Sequence, residues 1–215
     1  MAKVVNGLLV GRVGNLVYYI LNGKQCVRSY VKPRDPKTSR QVAHRLKIKV
    51  CSKFLKSFWN VIKIGYAGNN VAISAFNDAF NYHLTNAMEE FTLPENNETS
   101  YRVIPENVKL ASGLINAPVI YSCERNGLQI ELAWKSELGP IPNRHTDQVV
   151  VTAYIPEQKA YTVFHAGIRK EGGGKIVMPG NFNQPVHVWV FYWNPEKKTK
   201  SVKEKVSDSV YLGVI

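Results

Sequence analysis

The order of apolar and polar positions divides the chain into a strand-like opening, a helical middle and a long region of two-residue alternation. In residues 3–31 the runs VGNLVYYIL and QCVRSYV are rich in β-branched and aromatic residues, which predicts strands. Asn22-Gly23 lies between them, and both residues tolerate the positive φ of a type I′ turn, so a β-hairpin is expected there. Gly7, Gly11 and Gly14 point to a turn or bulge before it. Pro33 and Pro36 then break regular structure, and Thr38-Ser39-Arg40-Gln41 has the form of a capping box. The spacing beyond it predicts a helix from about Ser39 to Ile64, stopping at Gly65 as a C′ residue. Its apolar stripe is Val50, Cys51, Phe54, Leu55, Phe58, Val61 and Ile62. A second helix is expected from about Asn70 to Glu90, with Ala72, Phe76, Ala79, Phe80, Leu84, Ala87 and Met88 at three- and four-residue spacing.

The polar segment LPENNETS follows, and it is the best candidate for a domain boundary. From Tyr101 onward the period is two. Strands are expected near residues 101–104, 117–123, 128–134, 147–155, 160–166, 174–178, 185–193 and 207–213. Turn signals separate them at Asn126-Gly127, Gly139-Pro140, Gly172-Gly173-Gly174, Pro179-Gly180 and Asn194-Pro195. Trp134 keeps register with Leu128, Ile130 and Leu132, which places it between two sheets. The expected fold class is therefore α+β: an N-terminal β-hairpin plus two helices over residues 1–98, then an immunoglobulin- or fibronectin-III-like antiparallel β-sandwich over residues 99–215. With 45% hydrophobic and 11% aromatic residues, the chain can build packed cores and is not a disordered one.

Charge changes the picture more than composition does. Of the 28 Lys and Arg residues, fourteen lie in residues 1–66, where Asp35 is the sole acid, so that third of the chain carries +13. The other fourteen face fifteen acids in residues 67–215, which gives −1. On the main predicted helix, Arg45, Lys49, Lys53, Lys56 and Lys63 fall opposite the apolar stripe, with no acid to form i,i+4 pairs. This face is either simply solvated or meets an anionic partner. Arg28, Lys32, Arg34, Lys37 and Arg40 extend the cationic run, and Tyr18, Tyr19 and Tyr30 are interleaved with it. Such cations neutralise phosphates and such tyrosines stack on the bases of single strands, though hairpin packing accounts for the tyrosines equally well. The partners this pattern fits are nucleic acid or an acidic protein surface, with self-assembly as a further expectation.

Chemistry is sparse. His44, His83, His145, His165 and His187 make no HxH or HxxxH pair, and Cys26, Cys51 and Cys123 form neither a CxxC site nor an even disulfide set. No nucleotide-binding glycine motif, GxSxG elbow or paired-carboxylate arrangement occurs, so no catalytic residue, metal or cofactor is expected. The opening lacks the continuous apolar core of a signal peptide, and no run of 18 apolar residues predicts a membrane span. A cytoplasmic location, or a place in an intracellularly assembled particle such as a virion, is expected.

The stretch GRVGNLVYYILNGKQCVRSYVKPRDPKTSRQVAHRLK, with IKIGY, AFNDAFNYHLTNAM and DSVYLGVI further on, resembles a family of proteins of unknown function common in Bacteroidota. Gly11, Gly14, Val17, Gly23, Lys24, Gln25, Val27, Arg28, Ser29, Pro36, Thr38, Gln41 and Arg45 match its opening signature. Asp35 stands where that signature has Asn, and Ser39-Arg40 departs from its small or acidic choice. The opening is also similar to phage and prophage proteins. The resemblance thus implies a particle or assembly role. The functional expectation is a non-enzymatic structural or assembly protein whose basic module contacts a polyanion or neighbouring subunits; the alternative is a nucleic-acid-binding protein without sequence specificity.

Overall fold

The computed structural model describes residues 2–32, 34–67, 74–94, 97–136, 146–180, 184–195 and 205–215. Its contacts divide the chain into two compact units, Met1–Ser39 and Arg40–Ile215.

The first unit is a four-stranded antiparallel meander of β1 (Lys3–Val5), β2 (Leu8–Val13), β3 (Leu16–Leu21) and β4 (Lys24–Ser29), side by side in chain order. Asn22 and Gly23 take φ values of 49° and 77°, the type I′ geometry whose twist matches that of the flanking strands. Asn6-Gly7 repeats this pattern, and Gly14 (φ 55°) leads a third tight connection between Val13 and Leu16. The glycines before the expected hairpin therefore close two more hairpins. Strand register puts Val13, Leu16, Tyr18, Ile20 and Val27 on one face of the sheet. Arg12, Val17, Tyr19, Leu21, Lys24, Cys26 and Arg28 share the other. None of the described residues in this unit is buried, so the sheet has no core of its own.

The second unit is mixed α and β with antiparallel sheets. Strands β7 (Ile120–Asn126), β8 (Gln129–Trp134) and β11 (Gly173–Val177) form one sheet in the order β11-β8-β7. Strands β9 (Gln148–Ile155), β10 (Ala160–Ile168), β12 (His187–Trp193) and β13 (Val210–Val214) form another in the order β10-β9-β12-β13. The alternation seen from Tyr101 onward thus appears as strands close to their expected positions. The turn expected at Gly139-Pro140 lies outside the described residues. Ile130, Leu132 and Trp134 of the first sheet share a core with Val149, Val151, Ala153, Val188 and Val190 of the second. Trp134 is buried there as expected, and its indole N–H donates to the Arg169 carbonyl at 2.9 Å.

The second sheet is covered on its outer side as well. Val150, Tyr154, Trp189 and Phe191 pack with Cys51, Leu55, Phe58, Val61, Ile62, Ala79 and Ala87 in a second core. Those residues belong to α1 (Ser39–Ser57), α2 (Trp59–Gly65) and α3 (Ala75–Asn86), with Phe58 between the first two and Ala87 just past the third. The helices therefore belong with the sandwich-like sheets, and the compact units part at Ser39 and Arg40, not at the expected boundary between residues 98 and 99. The reason is that β9 and β12 present apolar side chains on both faces, and only the helices cover the outer one.

Three local expectations change for related reasons. The long first helix breaks at Phe58, whose backbone moves to φ −105°, ψ 20°. This residue is fully buried, with its ring 4.9 Å from Tyr154, 5.4 Å from Tyr161 and 6.0 Å from Trp189. The second helix stops at Asn86, and Met88–Thr92 is instead strand β5, paired with β6 (Thr99–Val103). Cross-strand pairs Glu89–Arg102 and Glu90–Tyr101 override the helical spacing, so the strands on either side of LPENNETS pair with each other, and residues 95–96 within it lie outside the described residues. The expected residues 70–73 of that helix lie outside the described residues. The last change is at Gly65, where Tyr66 closes α2 at φ −115° without a left-handed residue. Glycine is required here by close approach: a Cβ would collide with the Leu110 carbonyl oxygen and sit 2.7 Å from the Ala111 Cα.

Gly65→Ala is expected to destabilise the protein by about 1–3 kcal/mol through overpacking, seen as a lower urea midpoint at unchanged slope. Gly180→Ala, where a Cβ meets nothing within 4 Å, should stay within about 0.5 kcal/mol of wild type. Equal midpoints for the two variants would refute the close-packing account of Gly65.

Candidate polyanion interface

Helix α1 buries Cys51 and Leu55, with Phe54 half-buried beside them, against the sheet. One helical turn repeats every 3.6 residues, so positions 45, 49, 53 and 56 must face away from that packing. Arg45, Lys49, Lys53 and Lys56 are exposed, as is Lys63 on α2. Arg45–Lys49 and Lys49–Lys53 are like-charge neighbours at i,i+4, each costing a few tenths of a kcal/mol. The first turn of α1 contains Arg40 and no acid, the reverse of what the helix dipole favours. Among the described residues Lys49, Lys53, Lys56 and Lys63 make no ion pair. Three acids elsewhere in the unit have cationic partners of their own: Asp208 with Lys109 at 2.7 Å, Glu131 with Lys175 at 2.8 Å, and Glu89 with Arg102 at 2.5 Å.

In the first unit, Lys24 and Arg28 are exposed on the same sheet face as Arg12 and Tyr19. The Arg12 guanidinium lies 3.6 Å from the centre of the Tyr30 ring, and its Nε donates to the Gly14 carbonyl at 2.8 Å. Arg12 and Tyr30 thus form a stacked cationic and aromatic platform, and Arg12 was not among the cations singled out by sequence. Tyr18 lies on the opposite face, level with Val27, so the three tyrosines do not form a single surface. Lys32, Arg34 and Lys37 follow in an exposed segment. The Asp35 carboxylate accepts the Lys37 backbone N–H at 3.3 Å.

Beside Lys53 the second unit has an open pocket of about 210 Å³. Val50, Lys53 and Phe54 of α1 line one side, and Val103, Tyr154 and Lys159 the other. The Phe54 and Tyr154 rings meet edge to face at 5.9 Å. Lys159, in the turn between β9 and β10 with φ 51°, is exposed and makes no ion pair among the described residues. Nothing local in the sequence marks Val103, Tyr154 and Lys159 as neighbours of α1.

The histidines do not converge. His44 and His165 are exposed, His187 hydrogen-bonds the Tyr211 hydroxyl at 2.7 Å, and His145 lies outside the described residues. His83 is buried between α3 and the segment after β6: its Nδ1 bonds the Ala79 carbonyl at 2.6 Å and its Nε2 accepts the Lys109 N–H at 3.2 Å. Burial outweighs the backbone hydrogen bond and pushes its pKa down to about 4. Burial likewise pushes the Cys51 and Cys123 thiols up to about 11, so both are protonated at neutral pH. Among the described residues no three His, Cys, Asp or Glu side chains gather as metal ligands. No helix among them is long and apolar enough to cross a membrane.

The molecule is thus an α+β protein whose helical layer, packed on a pair of antiparallel sheets, turns an acid-free cationic face outward. It belongs to a family of unknown function, DUF6266, whose model matches residues 8–213. A comparison with curated proteins finds no match.

The His83 geometry predicts an acid-sensitive fold. Between about pH 6.5 and pH 4 the unfolded chain binds a proton at this ring and the folded chain does not, so stability should fall with pH through that window. The loss should reach about 3 kcal/mol at its lower end. An NMR titration in which the His83 ring protonates near pH 6.5 in the folded protein would overturn this.

Proposed function

We propose that this is a non-enzymatic structural or assembly protein whose basic surfaces contact a polyanion. The observation that carries the reading is the exposed row Lys49, Lys53, Lys56 and Lys63, which has no acid on its own helices and no ion pair among the described residues. An ordinary solvated helix face mixes signs, because i,i+4 pairs lower its energy. This one retains repulsion that an external anion would relieve. The similarity of the opening motif to phage and prophage proteins supports an intracellularly assembled particle as its setting.

In this reading the two larger sheets form an immunoglobulin- or fibronectin-III-like scaffold. The orders β11-β8-β7 and β10-β9-β12-β13, three strands against four, support that assignment, as does the buried Trp134 between the sheets. Such a scaffold hosts many functions, so the charge and not the fold carries the argument.

Nucleic acid without sequence preference is the second reading, favoured by the Arg12–Tyr30 platform beside Lys24 and Arg28. Flat cationic and aromatic surfaces of this kind bind single strands by stacking and phosphate neutralisation.

The expected outcome is a binding affinity for a polyanion that falls steeply with salt. Lys49→Glu, Lys53→Glu and Lys56→Glu together should reduce the log–log salt slope by roughly 2–3 and leave the melting temperature nearly unchanged. A flat salt dependence, or no binding to DNA, RNA or polyglutamate at low salt, would sink the polyanion reading. Loss of folding in the triple variant would show instead that this face is a packed interface.

A further inference from the structure

Resting on the nucleic-acid reading, we infer that the pocket between α1 and the β9–β10 turn receives one unstacked base of a single strand whose flanking phosphates meet Lys53 and Lys159. The pocket has two unlike parts. Its floor is apolar and aromatic, with Phe54 and Tyr154 edge to face at 5.9 Å and Val50 and Val103 beside them. Its polar lining is Ser57 and two lysines from opposite sides, neither lysine with an ion pair among the described residues. A group that satisfies both parts is flat and apolar on its faces and carries negative charge at its edge.

Size narrows the choice. A volume of about 210 Å³ corresponds to roughly seven waters, room for one heterocyclic base but not for a lipid chain. A free carboxylate would engage the lysines and leave the aromatic floor wet. Position narrows it further, because Lys53 belongs to the row with Lys49 and Lys56 on α1. Residues four apart on a helix rise about 6 Å, a spacing close to the phosphate repeat of an extended strand. A strand following that row would pass the mouth of the pocket, and one base would turn in while its neighbours remain in solvent. Because any base offers a flat π-face, the site selects for a base rather than for a particular sequence.

The test compares, on the full-length wild-type protein, fluorescence-anisotropy titrations of oligo(dT), a length-matched oligonucleotide with abasic sites throughout, and polyglutamate. The expected result is binding of oligo(dT) at least about fivefold tighter than the abasic strand, the gain that stacking of one base supplies. Val50→Phe, which fills the pocket, should reduce that preference by at least about fivefold, the share one stacked base supplies, while keeping the salt slope. Lys159→Gln should weaken both strands alike. Equal affinity for oligo(dT) and the abasic strand, with a steep salt slope, overturns the base pocket and leaves the polyanion reading standing. Polyglutamate binding as tightly as oligo(dT) overturns the pocket in the same way. A preference for oligo(dT) that is undiminished in a folded Val50→Phe variant also overturns it. No binding by any of the three at low salt overturns both inferences.

Discussion

Strands β9 and β12 lie at the centre of the larger sheet, and both are apolar on both faces. Val149, Val151, Val188 and Val190 turn toward the opposing sheet, while Val150, Tyr154, Trp189 and Phe191 turn the other way. Each large side chain left wet would forfeit about 1.5–3 kcal/mol. Both faces therefore have to be covered, and the chain has two means of doing so. The smaller sheet closes one side around Trp134. The helices close the other around Phe58, whose ring touches three aromatic residues of the sheet.

The charge distribution is set by that same packing. A helix that commits Cys51 and Leu55 to a sheet has its opposite side determined by the 100° step, so Lys49, Lys53 and Lys56 have no choice but to face out. Their mutual repulsion amounts to a few tenths of a kcal/mol per pair, small beside the burial on the other side of the helix. The fold can hold an unbalanced cationic face at little cost. The meander is the contrary case: none of its described residues is buried, and its two faces differ in charge.

Legibility in the sequence followed interaction range. The hairpin at Asn22-Gly23, the sandwich-like strands and the apolar stripe of the first helix all depend on neighbours within a few residues, and all appear where the pattern places them. Met88–Thr92 does not, because its helical spacing continues that of α3 while its partner strand lies eleven residues on. Gly65 looks like a helix stop by composition, but its role is to admit the backbone of Leu110 and Ala111, some 45 residues away. Nor does any local signal say that α1, α2 and α3 will cover a sheet whose first strand begins at residue 148.

The candidate interface divides along the same line. By itself the sequence determined which residues carry charge, that the surplus lies in residues 1–66, and which helix face presents it, because helix periodicity and residue identity suffice for that. Only the tertiary structure decided that Arg12 stacks on Tyr30 and that Val103, Tyr154 and Lys159 complete a pocket beside Lys53. Those relations depend on strand register and on contacts between residues fifty to a hundred positions apart, and no periodicity along the chain encodes them.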